Sequence, residues 1–281
     1  MRTSRKRIGL VLGGGGAKGF AHIGVLKVLL NANIPIDFIS GCSMGALIGG
    51  LYASGMEVDE LESVARKLSS TREILKLIDR TPSRKGLMVG KKVRSYLSQF
   101  ISPDAMIEDT RIPLIVNAVD LISGNEIELN HGVLLDCMMA SSAVPGFFPP
   151  VEIGPHRLID GGMLDDVPVR LLKNKPVDFI LAIDVHLNDH NPMSQEPLVH
   201  THHLPVPLPE FVSDFYRAEM IMASALTQIN LTMDPPDMLI RPKIPKDVSL
   251  FGGFQKASDV IRVGEEAMLE NLLELQKCLA D

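Results

Sequence analysis

The chain is predicted to adopt an α/β fold with parallel pairing at the heart of its sheet. Three observations carry this. The order strand, helix, strand, helix fills the first 55 residues. Each strand is a short, unbroken apolar run, as in strands buried on both faces. Glycines crowd the joints between them: 12 of the 23 fall within those 55 residues.

Ile8-Gly-Leu-Val-Leu12 reads as the first strand, and Gly13 to Gly16 as the turn that ends it. Helical spacing follows from about Ala17 to Leu30, through Phe20, Ile23 and Leu26, and Asn31 to Pro35 stops it. Ile36 to Ser40 is a second buried strand. Met44 to Ser54 is a helix closed by Gly55. From Phe38 to Met56 no residue is charged, but five glycines and three serines make this a buried strand, turn and helix rather than a membrane span.

Residues 57–110 carry more charge and three helical patterns (57–69, 71–79, 90–101), which reads as a helical insertion beside the sheet. Pro113 to Val119 resumes the strands. Glu126 to Leu129, Arg157 to Ile159, Phe179 to Val185 and Met238 to Arg241 continue them. Helices are expected over about 133–142, from Glu210 to about Met233, and from Lys256 to the end. The last has Val260, Val263, Ala267, Leu269, Leu272 and Leu275 as its apolar side. The proline- and histidine-rich stretch 188–209 reads as a mobile loop. One domain over residues 1–281 is the expected organisation.

The net charge is −6, from 28 basic and 34 acidic residues, which argues against a nucleic-acid-binding protein. Arg2, Arg5, Lys6 and Arg7 read as a solvated basic end. Cys42, Cys137 and Cys278 have no paired spacing, and no secretory signal precedes the first strand, so free thiols and a cytoplasmic location are expected.

Three motifs carry chemistry. Gly13-Gly-Gly-Gly-Ala-Lys-Gly19 follows a strand and opens a helix. A dinucleotide site would need an acid at the end of the second strand, where Ser40-Gly41 stands, with Asp37 only at its start. A P-loop would need Ser or Thr after Lys18, where Gly19 stands. What remains is a run of unobstructed N–H groups at a helix start, fit for a phosphate or an oxyanion. Gly41-Cys-Ser-Met-Gly45 is a G-x-S-x-G run between strand and helix, the context of a nucleophile elbow, with Ser43 at its apex. Asp160-Gly161-Gly162 puts an acid at a strand's C-terminal end, where open α/β sheets bind ligands. Paired with Ser43, Asp160 is the natural base. A triad would require a later histidine, and His186 is the well-placed one. His190, His200, His202 and His203 read as a solvated loop rather than metal ligands. His22 and Lys18 read as packing or capping groups.

These motifs, in this order, resemble the patatin-like phospholipase family, whose pattern is G-G-G-x-[K/R]-G, then G-x-S-x-G, then D-G-[A/G]. Gly14 to Gly19, Gly41 to Gly45 and Asp160 to Gly162 match it throughout. Ala140-Ser-Ser-Ala-Val-Pro-Gly-Phe-Phe-Pro-Pro150 is similar to a further family segment, and the likeness spans roughly residues 8–185. The resemblance implies a three-layer α/β/α sandwich and a Ser43–Asp160 dyad in place of a triad. It implies an oxyanion hole from the N–H groups of Gly14, Gly15 and Gly16, with Lys18, Gly19, Gly41, Gly45, Gly161 and Gly162 in support. Lipid or phospholipid acyl esters would be the substrates, with no cofactor and no metal. Acyl transfer to another acceptor, or lipid binding without turnover, are the rival readings. Leu87 and Met88, the 188–209 loop and Leu250-Phe-Gly-Gly-Phe254 are the candidate contacts for a transient meeting with a membrane surface, although each reads first as packed or flexible chain.

Overall fold

The computed structural model describes residues 5–77, 89–186, 210–249 and 252–280. Leu87, Met88, Leu250, Phe251 and the 188–209 loop lie outside the described residues.

In chain order the elements are β1 (Ile8–Leu12), α1 (Ala21–Asn31), β2 (Phe38–Gly41), α2 (Met44–Ala53), α3 (Val58–Lys67), α4 (Thr71–Leu77), α5 (Lys91–Leu97), β3 (Leu114–Asp120) and β4 (Glu126–Leu129). There follow α6 (Leu134–Ser141), β5 (Val151–Ile153), β6 (His156–Asp160), α7 (Arg170–Lys173), β7 (Phe179–Ile183), α8 (Glu210–Met233), β8 (Met238–Ile240) and α9 (Ala257–Ala280). The predicted helix from Ala17 is two pieces: a 3₁₀ turn over Gly16–Phe20 and then α1.

The sheet is mixed. β3, β2, β1, β7 and β8 pair in parallel, and β4, β5 and β6 add antiparallel ladders at the β3 end. Strand alternation sorts the core into two layers. Ile8, Leu10 and Leu12, with Phe179, Leu181 and Ile183, face α1, α2, α6 and α9. Val11, Ile180 and Ala182 face the other way, against Val167, Val169, Leu172 and Leu231. Helices therefore cover both faces, as expected.

β3 carries the arrangement that matters for the site. Val116 pairs with both Gly41 and Leu129, and Ala118 with both Ile127 and Asp160. A strand has two edges, so β4 holds one and β2 and β6 share the other. β2 runs parallel to β3 and β6 antiparallel, so their C-terminal ends meet tip to tip beside Asn117.

Among the described residues, the basic Arg5, Lys6 and Arg7 are paired. Arg5 pairs with Asp37 at 2.6 Å, Arg7 with Asp178 at 3.1 Å, and Lys6 donates to the Cys278 carbonyl at 2.7 Å. The apolar side of α9 is the expected one at Val260, Val263, Ala267, Leu272 and Leu275 and departs from it at Leu269. Val260, Ile261, Met268 and Leu275 are buried, whereas Leu269 is 57% exposed. The reason is a close crossing with α1. A Cβ on Gly24 would overlap the Ile261 carbonyl oxygen, and one on Gly264 would overlap that of Ala21. Backbone meets backbone there, and Lys27 ties the crossing to Glu265 at 2.9 Å and to Glu62 of α3 at 2.8 Å. Gly264→Ala should therefore force the helices apart and lower unfolding free energy by about 1–3 kcal/mol, read by urea denaturation.

Candidate active site

Ser43 is one of two non-glycine residues with positive φ among the described residues, at φ 49° and ψ −119°. Such a conformation costs about 1–3 kcal/mol and persists only when its surroundings hold it. Here they do. Gly41 leaves room for α2 to begin at once, since a Cβ there would sit 2.8 Å from the Gly45 carbonyl oxygen. Gly45 packs on the end of β1, where a Cβ would overlap the Leu12 carbonyl oxygen. The end of α6 grips the elbow from outside. The Ser43 N–H donates to the Ser141 hydroxyl at 3.1 Å, and the Ser142 hydroxyl donates to the Ser43 carbonyl at 3.1 Å. The side chain is thus placed at the N-terminus of α2, where the helix dipole favours negative charge.

Asp160 ends β6. Its N–H donates to the Ala143 carbonyl at 3.0 Å, so residues 141–143 hold both Ser43 and Asp160. Its Oδ1 accepts the Gly162 N–H at 2.9 Å and, weakly, the Cys42 thiol at 3.7 Å. Gly161 fits against Asn117, which a Cβ would overlap, and Asn117 in turn donates to the Asp165 carbonyl at 2.7 Å. Burial pushes the Asp160 carboxyl up to about 6, against the pull of the neighbouring Ser43 hydroxyl and the Gly162 N–H. The usual objection to a carboxylate base is its low proton affinity, and burial removes part of it.

The glycine loop lies beside these two. Gly13 and Gly14 spend their N–H groups on the carbonyls of Ile183 (3.0 Å) and Asp166 (2.9 Å). Gly14 packs against Ser43 and Asp166. Gly15, at φ 145°, lines the same cavity as Ser43 and Asp160, and Gly16 follows at φ 56°. Gly19 makes room for Met44, whose side chain a Cβ would overlap. His22 is fully buried with Nε2 2.7 Å from the Gly13 carbonyl, and burial lowers its pKa to about 4. It is a neutral strut for the loop. Lys18 is buried and raises the positive field at Asp166 and His186.

The cavity, of about 50 Å³, is lined by Gly15, Ser43, Asp160, Asp166, His186 and Glu219, among others. Asp166 and Glu219 carry no sequence motif of their own. Asp166 follows the Asp-Gly-Gly turn and could have been noticed as a second acid there. Glu219 sits within α8 with no local signal. Burial drives the Asp166 carboxyl strongly upward, and the charges of Asp160 and Asp184 add to it. His186 points Nδ1 at Asp166 Oδ2 (3.4 Å), and burial first, then Lys18, lowers it to about 4. Both partners favour their neutral forms. Phe254, a candidate membrane contact, instead packs edge-on against Phe20 with centroids 5.7 Å apart. Among the described residues, no three His, Cys, Asp or Glu side chains are placed to hold a metal ion, and no helix is long and apolar enough to cross a membrane.

An α/β sheet with a strained serine at the head of a helix, an acid at an adjoining strand end and a glycine loop beside both defines a nucleophile-elbow protein. The chain belongs to the patatin-like phospholipase family, whose profile matches residues 10–173. It is 35% identical over 190 residues to an uncharacterized NTE family protein of Mycobacterium bovis, covering 68% of this chain and 52% of that protein. It is 34% identical over 186 residues to neuropathy target esterase sws of Drosophila melanogaster, covering 65% of this chain and 13% of that one. Against lysophospholipase NTE1 of Yarrowia lipolytica the identity is 33% over 195 residues, covering 68% and 14%. The chain thus spans about half the length of the mycobacterial relative and far less of the others. Its fold is similar to that of VipD from Legionella pneumophila, with a TM-score of 0.54 at 12% identity, over 96% of this chain and 67% of that one.

The shifted Asp160 predicts a pH-dependent stability. Its folded-state pKa, about 6, lies above the ordinary 3.8. The stabilising neutral form is fully present below about pH 4, and its contribution is lost as pH rises through about 6. Asp160→Asn does not titrate. Its stability relative to the parent should therefore rise by about 3 kcal/mol between pH 4 and pH 8, as read by paired denaturant titrations.

Proposed function

We propose that the chain is a serine acyl-ester hydrolase acting on lipid or phospholipid esters, with Ser43 as nucleophile and Asp160 as general base. The observation that carries this reading is the strained Ser43, held at the start of α2 in one cavity with a buried, upward-shifted Asp160. Family membership, and relatives named an esterase and a lysophospholipase, support the lipid-ester class.

The cycle begins when Ser43 Oγ attacks the ester carbonyl and Asp160 takes its proton. Charge develops on the carbonyl oxygen. Gly15 and Gly16 supply the N–H groups for it, while Gly14, already bonded to Asp166, keeps the loop against the elbow. Each such donor is worth roughly 2.7–4 kcal/mol in the transition state. Asp160 then returns the proton to the leaving alcohol, and water releases the fatty acid. His186 stays outside this path, since its ring nitrogen is directed at Asp166.

Ser43→Ala should lose hydrolysis of a soluble ester by roughly four orders of magnitude or more, together with labelling by a fluorophosphonate probe. Full activity in a folded variant would reject the assignment. His186→Ala should keep most activity, and a comparable loss there would restore a triad. For the parent, kcat/KM should rise with pH through about 6, as Asp160 gives up its proton.

A further inference from the structure

One wall of the cavity belongs to α8, from which Glu219, Met220, Ala223 and Thr227 line it together with Ser43 and Asp160. Glu219 breaks the usual rule for a surface helix, which turns carboxylates to water and apolar groups inward. On α8 Met222 is 60% and Ile229 53% exposed, while Glu219 keeps only 7%. Leu231 of the same helix is buried in the core, but a buried acid beside it still needs a reason.

Its surroundings supply one. Glu219 Oε2 and Asp160 Oδ2 are both buried, and neither has a hydrogen-bond partner among the described residues. Leaving such an oxygen unsatisfied costs about 1–3 kcal/mol. The cavity they line measures about 50 Å³. One water needs roughly 10–15 Å³ of such space, so the cavity has room for water beside Ser43. Water fits a space of this size, which Ser43, Asp160 and Glu219 line together. Burial, and then the Asp160 charge, push the Glu219 carboxyl up to about 7, so it can also be held there without a full charge.

We infer that Glu219 is a positioning residue for the water that releases the acyl group: Glu219 Oε2 and Asp160 Oδ2 each accept one of its O–H groups and aim its oxygen at the acyl-Ser43 carbon. This rests on the hydrolase reading and adds which residue positions the water. The water oxygen bonds to the acyl carbon as Asp160 takes one of its protons. The bond from that carbon to Ser43 Oγ then breaks, and Asp160 returns the proton to Oγ. Free fatty acid and free serine result, and Glu219 ends in the protonation state in which it began.

The test is stopped-flow hydrolysis of p-nitrophenyl butyrate, where acylation gives a burst of nitrophenol and deacylation sets the steady rate. Glu219→Met keeps the volume and removes the acceptor. It should show a burst near one equivalent and a steady rate reduced roughly ten- to hundredfold. Its burst rate constant and its rate of fluorophosphonate labelling should stay within about twofold of the parent. Glu219→Gln, which still offers an acceptor oxygen, should recover most of the lost steady rate. If Glu219→Met does not fold, Glu219→Ala replaces it with the same expectation. Equal loss in burst and steady rates, or no change in either, overturns the inference. A parent protein labelled at Ser43 but without turnover in water also overturns it, in favour of acyl transfer. A parent that is not labelled at all overturns the hydrolase reading itself.

Discussion

The site depends on two strands ending against each other on one edge of β3. β2 stops at Gly41, opposite Val116, and β6 arrives from the other direction and stops at Asp160, opposite Ala118. Neither can continue without displacing the other, so both chains must turn away from the sheet at the same place. The turns demand glycine on both sides: Gly41 and Gly45 for one, Gly161 and Gly162 for the other. Once the tips are fixed, the distance between serine and acid is set by β-sheet geometry rather than by loops. Residues 141–143 then lock the two ends with three hydrogen bonds, to the Ser43 N–H, the Ser43 carbonyl and the Asp160 N–H.

Concentrating acids behind this junction is expensive. Asp160, Asp165, Asp166 and Glu219 are each less than a tenth exposed, and burial shifts all four toward the protonated form. A hydrophobic replacement at several of these positions would make a more stable protein. The same desolvation that weakens the fold makes Asp160 a better proton acceptor, an exchange of stability for reactivity familiar in enzymes. Asp166 and His186, both favouring their neutral forms, keep a further full charge away from Asp160.

Much of this was readable from residue order. The strands at Ile8 and Phe38, the helix after Ser43 and the three motifs depend on local signals: apolar runs, glycine positions and the residue types at a turn. The antiparallel β4, β5 and β6 were harder, because pairing direction is settled by tertiary contact; only Glu126 to Leu129 and Arg157 to Ile159 stood out as strands. Which N–H groups of the glycine loop are free was also hidden, since the Asp166 carbonyl that occupies Gly14 comes from far along the chain. On α8 the hydrophobic pattern misleads. Ile221, Met222 and Ile229 would be placed inward by periodicity, yet they face out, and Glu219, Ser224 and Thr227 are buried along with Leu231. Leu269 and Leu273 of α9 are exposed in the same way, because close helix contact there is made through Gly264 and not through leucine.

The crossing of α1 and α9 bears on how the protein comes to be folded. Lys6 meets Cys278 across 272 positions of sequence, and the glycine faces of α1 and α9 close further along the same helix pair. During synthesis β1, the glycine loop, Ser43 and α1 leave the ribosome early, yet α1 has an uncovered apolar flank until α9 emerges. Contacts of such long range are slow to form and leave sticky surface exposed meanwhile. The turn at Ser43 would therefore acquire its final rigidity only after translation has passed α9, and partial chains would be candidates for chaperone capture.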